Sequence, residues 1–132
     1  MNTHVITSAV IKYKNKYLIG KRAETKKSAP NQWEFISGFI DTKETAEEII
    51  LRELKEETSL KGKIVKSGSP YFVEDKEAHW VIIPFLIEVA NSNFILNPAD
   101  HSELKWVAKE ELLDYKELRT DIQKLKDREF IL

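Results

Sequence analysis

The chain has 132 residues, 42% hydrophobic and 33% charged, the proportions of one globular domain with a sizeable core rather than of a disordered chain. Its 21 basic and 22 acidic residues leave a formal charge of −1, which gives no global attraction for a nucleic acid polymer or an anionic membrane. Cysteine is absent, which excludes disulfides, thiolate metal sites and thiol nucleophiles.

The first residues show neither the basic stretch nor the apolar run of a secretory signal, and no segment approaches the roughly 20 apolar residues of a membrane span. Residues 1–132 are therefore expected to form a single cytoplasmic domain. Residues 5–13, rich in β-branched side chains, and residues 17–20 read as strands joined by the turn Lys14-Asn15-Lys16, a hairpin without a turn glycine. Residues 21–31 are polar, end in Pro30-Asn31 and read as a loop. Residues 33–36 form a short strand leading into Ser37-Gly38. Asp41-Thr42 or Thr45 can cap a helix that runs to about Thr58, with Glu44, Glu47 and Glu48 suited to its first turns and Gly62 the nearest strong stop signal. Strands are predicted at 64–65, 71–73 and 79–89, the last apolar on both faces and hence central, with a short one at 104–107. Residues 109–115 and 120–128 read as helical. Strands interleaved with a few helices predict an α/β fold in which a sheet is sandwiched between helices.

The informative segment is Arg52-Glu53-Leu54-Lys55-Glu56-Glu57. A helix C-terminus carries partial negative charge, so each acid there costs about 0.3–1 kcal/mol, and Glu53 and Glu57 at i,i+4 repel further. At about 100° per residue, Ala46, Ile50, Leu51 and Leu54 form the face that packs on the sheet, while Glu53, Glu56 and Glu57 share the adjoining arc of about 100°. Three carboxylates converging at the rim of a buried face call for a positive partner. A cluster of hard oxygens suits Mg²⁺, with Mn²⁺ as substitute, bound together with substrate phosphates. Such a metal neutralises a di- or triphosphate and lowers the pKa of a bound water; a carboxylate left free of it can serve as general base. Arg52, one turn before Glu56, is placed to orient a carboxylate. Gly38 lets a tight loop bring backbone groups close to the same place.

A bare run of Glu and Lys on a helix is usually solvated surface. The longer pattern, with Gly38, Glu44, Arg52, Glu53, Glu56 and Glu57 fixed, matches by chance on the order of once in 10⁵ chains. It resembles the Nudix box, G-x5-E-x7-R-E-U-x-E-E-x-G-U with U a bulky aliphatic, at Gly38, Glu44, Arg52, Glu53, Leu54, Glu56, Glu57 and Leu60. The preceding Trp33-Glu34-Phe35-Ile36-Ser37 is similar to the family's entry strand. The resemblance implies a Nudix-type α/β/α sandwich with a mixed β-sheet and hydrolysis of a nucleoside diphosphate linked to another moiety. It implies Glu53, Glu56 and Glu57 as metal ligands, Glu57 the most sensitive, with Arg52 the orienting partner and Glu44 a loop-anchoring acid. Two positions depart from the pattern. Ser59 replaces the box glycine, so either a left-handed serine costs about 1 kcal/mol or the helix cap shifts toward Gly62. Ile36-Ser37 stand where Pro-Gly is common.

Outside the box, Glu103 is a candidate general base, because several family members place one on a loop near here; Glu56 competes for the role. Arg22 is the best phosphate contact among Lys21, Arg22, Lys26 and Lys27. Trp33 is a candidate for stacking on a base; Trp80 and Phe85 are others, although strand aromatics are more often core. His79 and His101 read as ordinary surface or strand residues, and no histidine pair has zinc-ligand spacing. The expected substrate is a small nucleotide, first an ordinary or damaged (d)NTP cleaved to monophosphate and pyrophosphate. ADP-ribose and dinucleoside polyphosphate hydrolases carry a Pro or a Tyr some way after the box, where this chain has Glu74-Asp75-Lys76-Glu77-Ala78. The family's isoprenoid isomerases rely on a cysteine. The alternative of another class is a non-catalytic nucleotide-binding module on the same fold. The protein is expected to act as a monomer or homodimer.

Overall fold

The computed structural model describes residues 2–76 and 78–131; Met1, Leu132 and one residue of the 74–78 segment weighed above, Glu77, lie outside that description. β1 (Asn2–Tyr13) and β2 (Lys16–Arg22) form the expected hairpin. Lys14 supplies the left-handed turn residue at φ 53° in place of a glycine. The hairpin pairs at its closed end, Lys12 opposite Tyr17 and Tyr13 opposite Lys16, and then opens. β1 continues antiparallel to β4 (Ile36–Phe39) on this side and parallel to β7 (Ala78–Val89) on the other. β2 continues between β3 (Trp33–Glu34) and β8 (His101–Ala108), antiparallel to both. The far edge of β7 is covered by β5 (Gly62–Ser67) at one end and β6 (Tyr71–Glu74) at the other. Pro84 sits at the handover between them, where its carbonyl accepts from Gly68 at 3.0 Å. Its missing N–H faces the same gap, so no ladder bond is lost.

Alternation along the strands sorts side chains onto two faces. Ala9, Ile11, Leu18 and Ile36 point to one face, where they pack with Ile50 and Leu54 of α1 (Ala46–Thr58). Val10, Tyr17, Ile19 and Phe35 point to the other. They pack there with Leu112 and Leu118 of the 3-10 turns Lys109–Asp114 and Lys116–Leu118, and with Ile122 and Leu125 of α2 (Arg119–Asp127). The molecule is thus an α/β/α sandwich on a mixed eight-stranded sheet. Among the described residues no helix is long and apolar enough to cross a membrane.

Four sequence expectations change. The strand expected at 33–36 is two pieces, β3 pairing with β2 and β4 with β1, because Phe35 turns into the core between them. The 104–107 strand begins earlier, at His101, since β8 follows β2 along its whole length. Gly62 opens β5 rather than stopping α1, and it has no room for a side chain: a Cβ there would lie 2.4 Å from Ile87 and 2.7 Å from Leu54. Of residues 109–115, expected to be helical, Lys109–Asp114 form a tight 3-10 turn instead of an α-helix.

Candidate active site

Of the two caps open in the sequence, Thr45 is used. Its hydroxyl accepts the Glu48 N–H at 3.2 Å and the Glu48 carboxylate accepts the Thr45 N–H at 3.0 Å, a reciprocal capping box. At the other end Ser59 adopts φ 62° and donates its N–H to Lys55 at 2.9 Å, so the serine itself takes the left-handed position. Thr58 holds the same end, its hydroxyl donating to the Leu54 carbonyl at 2.6 Å and accepting from the Leu60 N–H at 3.1 Å. α1 is therefore fixed at both termini, and with it the angle at which its acids leave the axis.

Ile49, Glu53 and Glu57, spaced i,i+4, lie along one line of the helix. Gly38 of β4 passes beneath it, where a Cβ would stand 2.7 Å from Glu53 Cγ and 3.0 Å from Ile49 Cγ2. The three box glutamates form a gradient of exposure: the Glu57 side chain is 8% exposed, Glu53 24% and Glu56 54%. Burial, then the Glu53 carboxyl beside it, then the charges of Asp100 and Glu34 push the Glu57 carboxyl up to about 10. Arg52 ties the outer side together. It donates to both Glu44 oxygens, Nε at 3.0 Å and Nη2 at 2.9 Å, and Nη1 reaches Glu53 at 3.4 Å and Glu56 at 3.3 Å. The Glu44 carboxyl is lowered by the Arg52 hydrogen bond, and the guanidinium is raised by its bonds to Glu44 and Glu56.

Two residues that the sequence did not single out complete the cluster. Glu34 stands between Arg22, at 3.0 Å, and His101 Nε2, at 2.8 Å. Glu34, Glu57 and His101 bring one ligand-type atom each within 4.8 Å of one another. His101 is fully buried: of the surface or strand positions expected for it, the strand holds, since it opens β8, and it faces the acids instead of solvent. The only sequence signal for the pair was position, Glu34 in the strand entering Gly38 and His101 beside Asp100.

Two adjoining cavities share Arg22, Glu34, Ser37 and Phe39. The smaller, of about 160 Å³, is charged: Arg22, Lys26, Glu53, Glu57 and Asp100 line it together with Gly38. The larger, of about 320 Å³, is walled by Ile6, Trp33, Phe35, Trp80, Ile82 and Leu118, with Asp121 among them. Burial raises the Asp121 carboxyl, which accepts the Tyr71 hydroxyl at 2.7 Å. Arg22, Gly38, Glu53 and Glu57 thus meet at the small cavity and Trp33 lines the large one, edge-on to Tyr115 at 5.0 Å. Glu56 and Arg52 lie on the outer side of the cluster. Glu103 lies on β8 opposite Lys21, exposed, and is not among the residues lining either cavity. Of the other aromatics, Trp80 lines the large cavity and Phe85 is core.

Buried carboxylates packed against one another are unfavourable unless paired with positive charge. Glu57, Glu53, Glu34 and Asp100 outnumber the nearby Arg22 and Lys26, and the donors are hard oxygens, so the residues fit a divalent cation. The fold and the site suit a protein that meets phosphate through a metal. The sequence matches the NUDIX domain over residues 2–128, and the chain belongs to that family. Membership makes it a Nudix diphosphohydrolase of nucleoside diphosphate-linked substrates, a family whose hydrolases generally use a divalent metal. The fold is similar to that of a MutT protein from Methanosarcina mazei Go1, with TM-score 0.81 and 23% identity over 97% of this chain and 95% of that one. It is also similar to the NUDIX domain of Shewanella oneidensis NrtR, solved with ADP ribose, at TM-score 0.76 and 19% identity over 97% and 89%. A NUDIX family hydrolase from Clostridium perfringens aligns at TM-score 0.73 and 17% identity over 96% and 98%. At these identities the likeness is one of fold. No curated protein matches the chain in sequence.

Proposed function

We propose that this chain hydrolyses a nucleoside triphosphate, ordinary or damaged, ribo- or deoxy-, to the monophosphate and pyrophosphate with Mg²⁺. The observation that carries the reading is the pairing of one small charged cavity with one larger apolar cavity of about 320 Å³. That volume suits a single nucleoside, at the lower end of small-molecule pockets. A second nucleoside or a distal ribose would need a second such space.

In this reading Glu57 and Glu53 would hold the cation, which would supply charge neutralisation and an activated water. Arg22 and Lys26 bind phosphate oxygens through charge-assisted hydrogen bonds. Arg52 keeps Glu53 and Glu56 turned toward the same side. Glu56, the most exposed of the box acids, is the carboxylate left to take the proton from water as its oxygen bonds to phosphorus and the anhydride P–O bond breaks. Trp33 and the apolar walls pack against the base, and Asp121 offers a polar group to its edge.

The test is a panel of nucleoside triphosphates, ADP-ribose and dinucleoside polyphosphates incubated with Mg²⁺ and analysed by mass. Nucleoside monophosphate and pyrophosphate from a triphosphate support the proposal. Turnover confined to ADP-ribose or to a dinucleoside polyphosphate would overturn it.

A further inference from the structure

His101 is buried, yet it is not among the residues lining either cavity. Its place is fixed from several sides. Its backbone N–H donates to the Asn97 carbonyl at 3.0 Å, and Asn97 is tied to the end of α1 by its side-chain amide, 3.3 Å from the Glu56 carbonyl. The ring lies so close to Gly20 that a Cβ there would come within 2.6 Å of Cδ2 and 2.8 Å of Nε2. Nε2 is 2.8 Å from Glu34 Oε2; a carboxylate only accepts, so the ring donates there. Nδ1 is, among the described residues, the buried side-chain polar atom without a hydrogen-bond partner. It faces Glu57 Oε1 at 3.6 Å. Buried polar atoms are seldom left without a partner, and one so placed beside a functional group points to a role in it.

We propose that His101 is a positioning residue of the reaction, one ring that sets the phosphate-binding arm and the cation-binding arm relative to each other. Nε2 fixes Glu34, whose other oxygen holds Arg22 at 3.0 Å. Nδ1, the acceptor of a ring that donates through Nε2, stands 3.6 Å from Oε1 of the Glu57 carboxyl and holds that side chain where it would meet the cation. The proposal rests on the reading of Glu57 as a cation ligand given above. Groups that orient a ligating side chain contribute about 10–100-fold to metal affinity without touching the metal.

The two ring nitrogens can be tested apart. An asparagine amide reaches about as far as Nδ1, and a glutamine amide about as far as Nε2. Binding of Mn²⁺ alone is measured by the electron paramagnetic resonance of the free ion for wild type, Glu57→Gln, His101→Gln and His101→Asn. His101→Gln is expected to weaken Mn²⁺ binding about tenfold, and His101→Asn to restore it to within about threefold of wild type. A second measurement uses the unmodified protein: the ¹⁵N resonance of His101 Nδ1 should move when Mg²⁺ is added, and should stay still in Glu57→Gln. Wild-type affinity in His101→Gln, equal losses in both His101 variants, or an Nδ1 resonance indifferent to Mg²⁺ would overturn the proposal while leaving Glu57 as a ligand. Equal Mn²⁺ affinity in wild type and Glu57→Gln would remove the underlying reading as well, and the proposal with it.

Discussion

Burial and its acidic neighbours push the Glu57 carboxyl up to about 10, so in the cation-free protein it should keep its proton at neutral pH. In the unfolded chain the same group ionises near 4.5. Between these values the folded state holds one more proton than the unfolded state, so stability falls as pH rises, by up to about 1.4 kcal/mol per pH unit. Glu57→Gln removes that slope. In EDTA the variant should be less sensitive to pH than wild type between pH 6 and 9 and more stable at pH 9, as read by urea unfolding; parallel profiles would contradict the assignment. Cation binding must expel the proton, so apparent Mg²⁺ affinity should rise with pH over the same range. The variant should also lose on the order of 10²–10³-fold or more in kcat. Arg22→Ala should raise KM about 10–100-fold, the worth of one charge-assisted contact to phosphate. At this scale the sequence was legible where spacing on one helix determines proximity, as for Arg52, Glu53, Glu56 and Glu57. It was not legible for Glu34 and His101, which lie 67 residues apart and meet only because β3 and β8 flank β2.

α1 presents the acids, and its two ends determine whether it does so reliably. The Thr45–Glu48 capping box is intact, and Thr45→Ala should cost about 1 kcal/mol. Ser59 stands at φ 62°, where a side chain is disfavoured, so Ser59→Gly should stabilise by about 1 kcal/mol and raise Tm by roughly 2–5 °C. A fall in Tm would mean that the serine hydroxyl contributes more than the backbone costs. The caps and the helix could be read from the sequence because they are local. β3 and β4 could not be separated, because nothing in Trp33-Glu34-Phe35-Ile36 states that its halves join different neighbours. That split follows from the early parting of β1 and β2, a property of the sheet. The same parting opens the space that the cavities occupy.

Across the whole molecule, two apolar cores on either side of one sheet hold a charged seam in which carboxylates outnumber cations. The fold supplies the rigidity that keeps Glu34, Glu53 and Glu57 together; in the proposed function a divalent ion would supply the charge that makes the arrangement favourable. Mg²⁺ at about 100 times its dissociation constant should therefore add about 2.7 kcal/mol to unfolding free energy. The most direct test is denaturant unfolding of wild type and Glu57→Gln at pH 8, each in EDTA and in millimolar Mg²⁺. Wild type should be the less stable of the two in EDTA and gain strongly with Mg²⁺, whereas the variant gains little. A wild type that is more stable than Glu57→Gln without metal and indifferent to Mg²⁺ would contradict it.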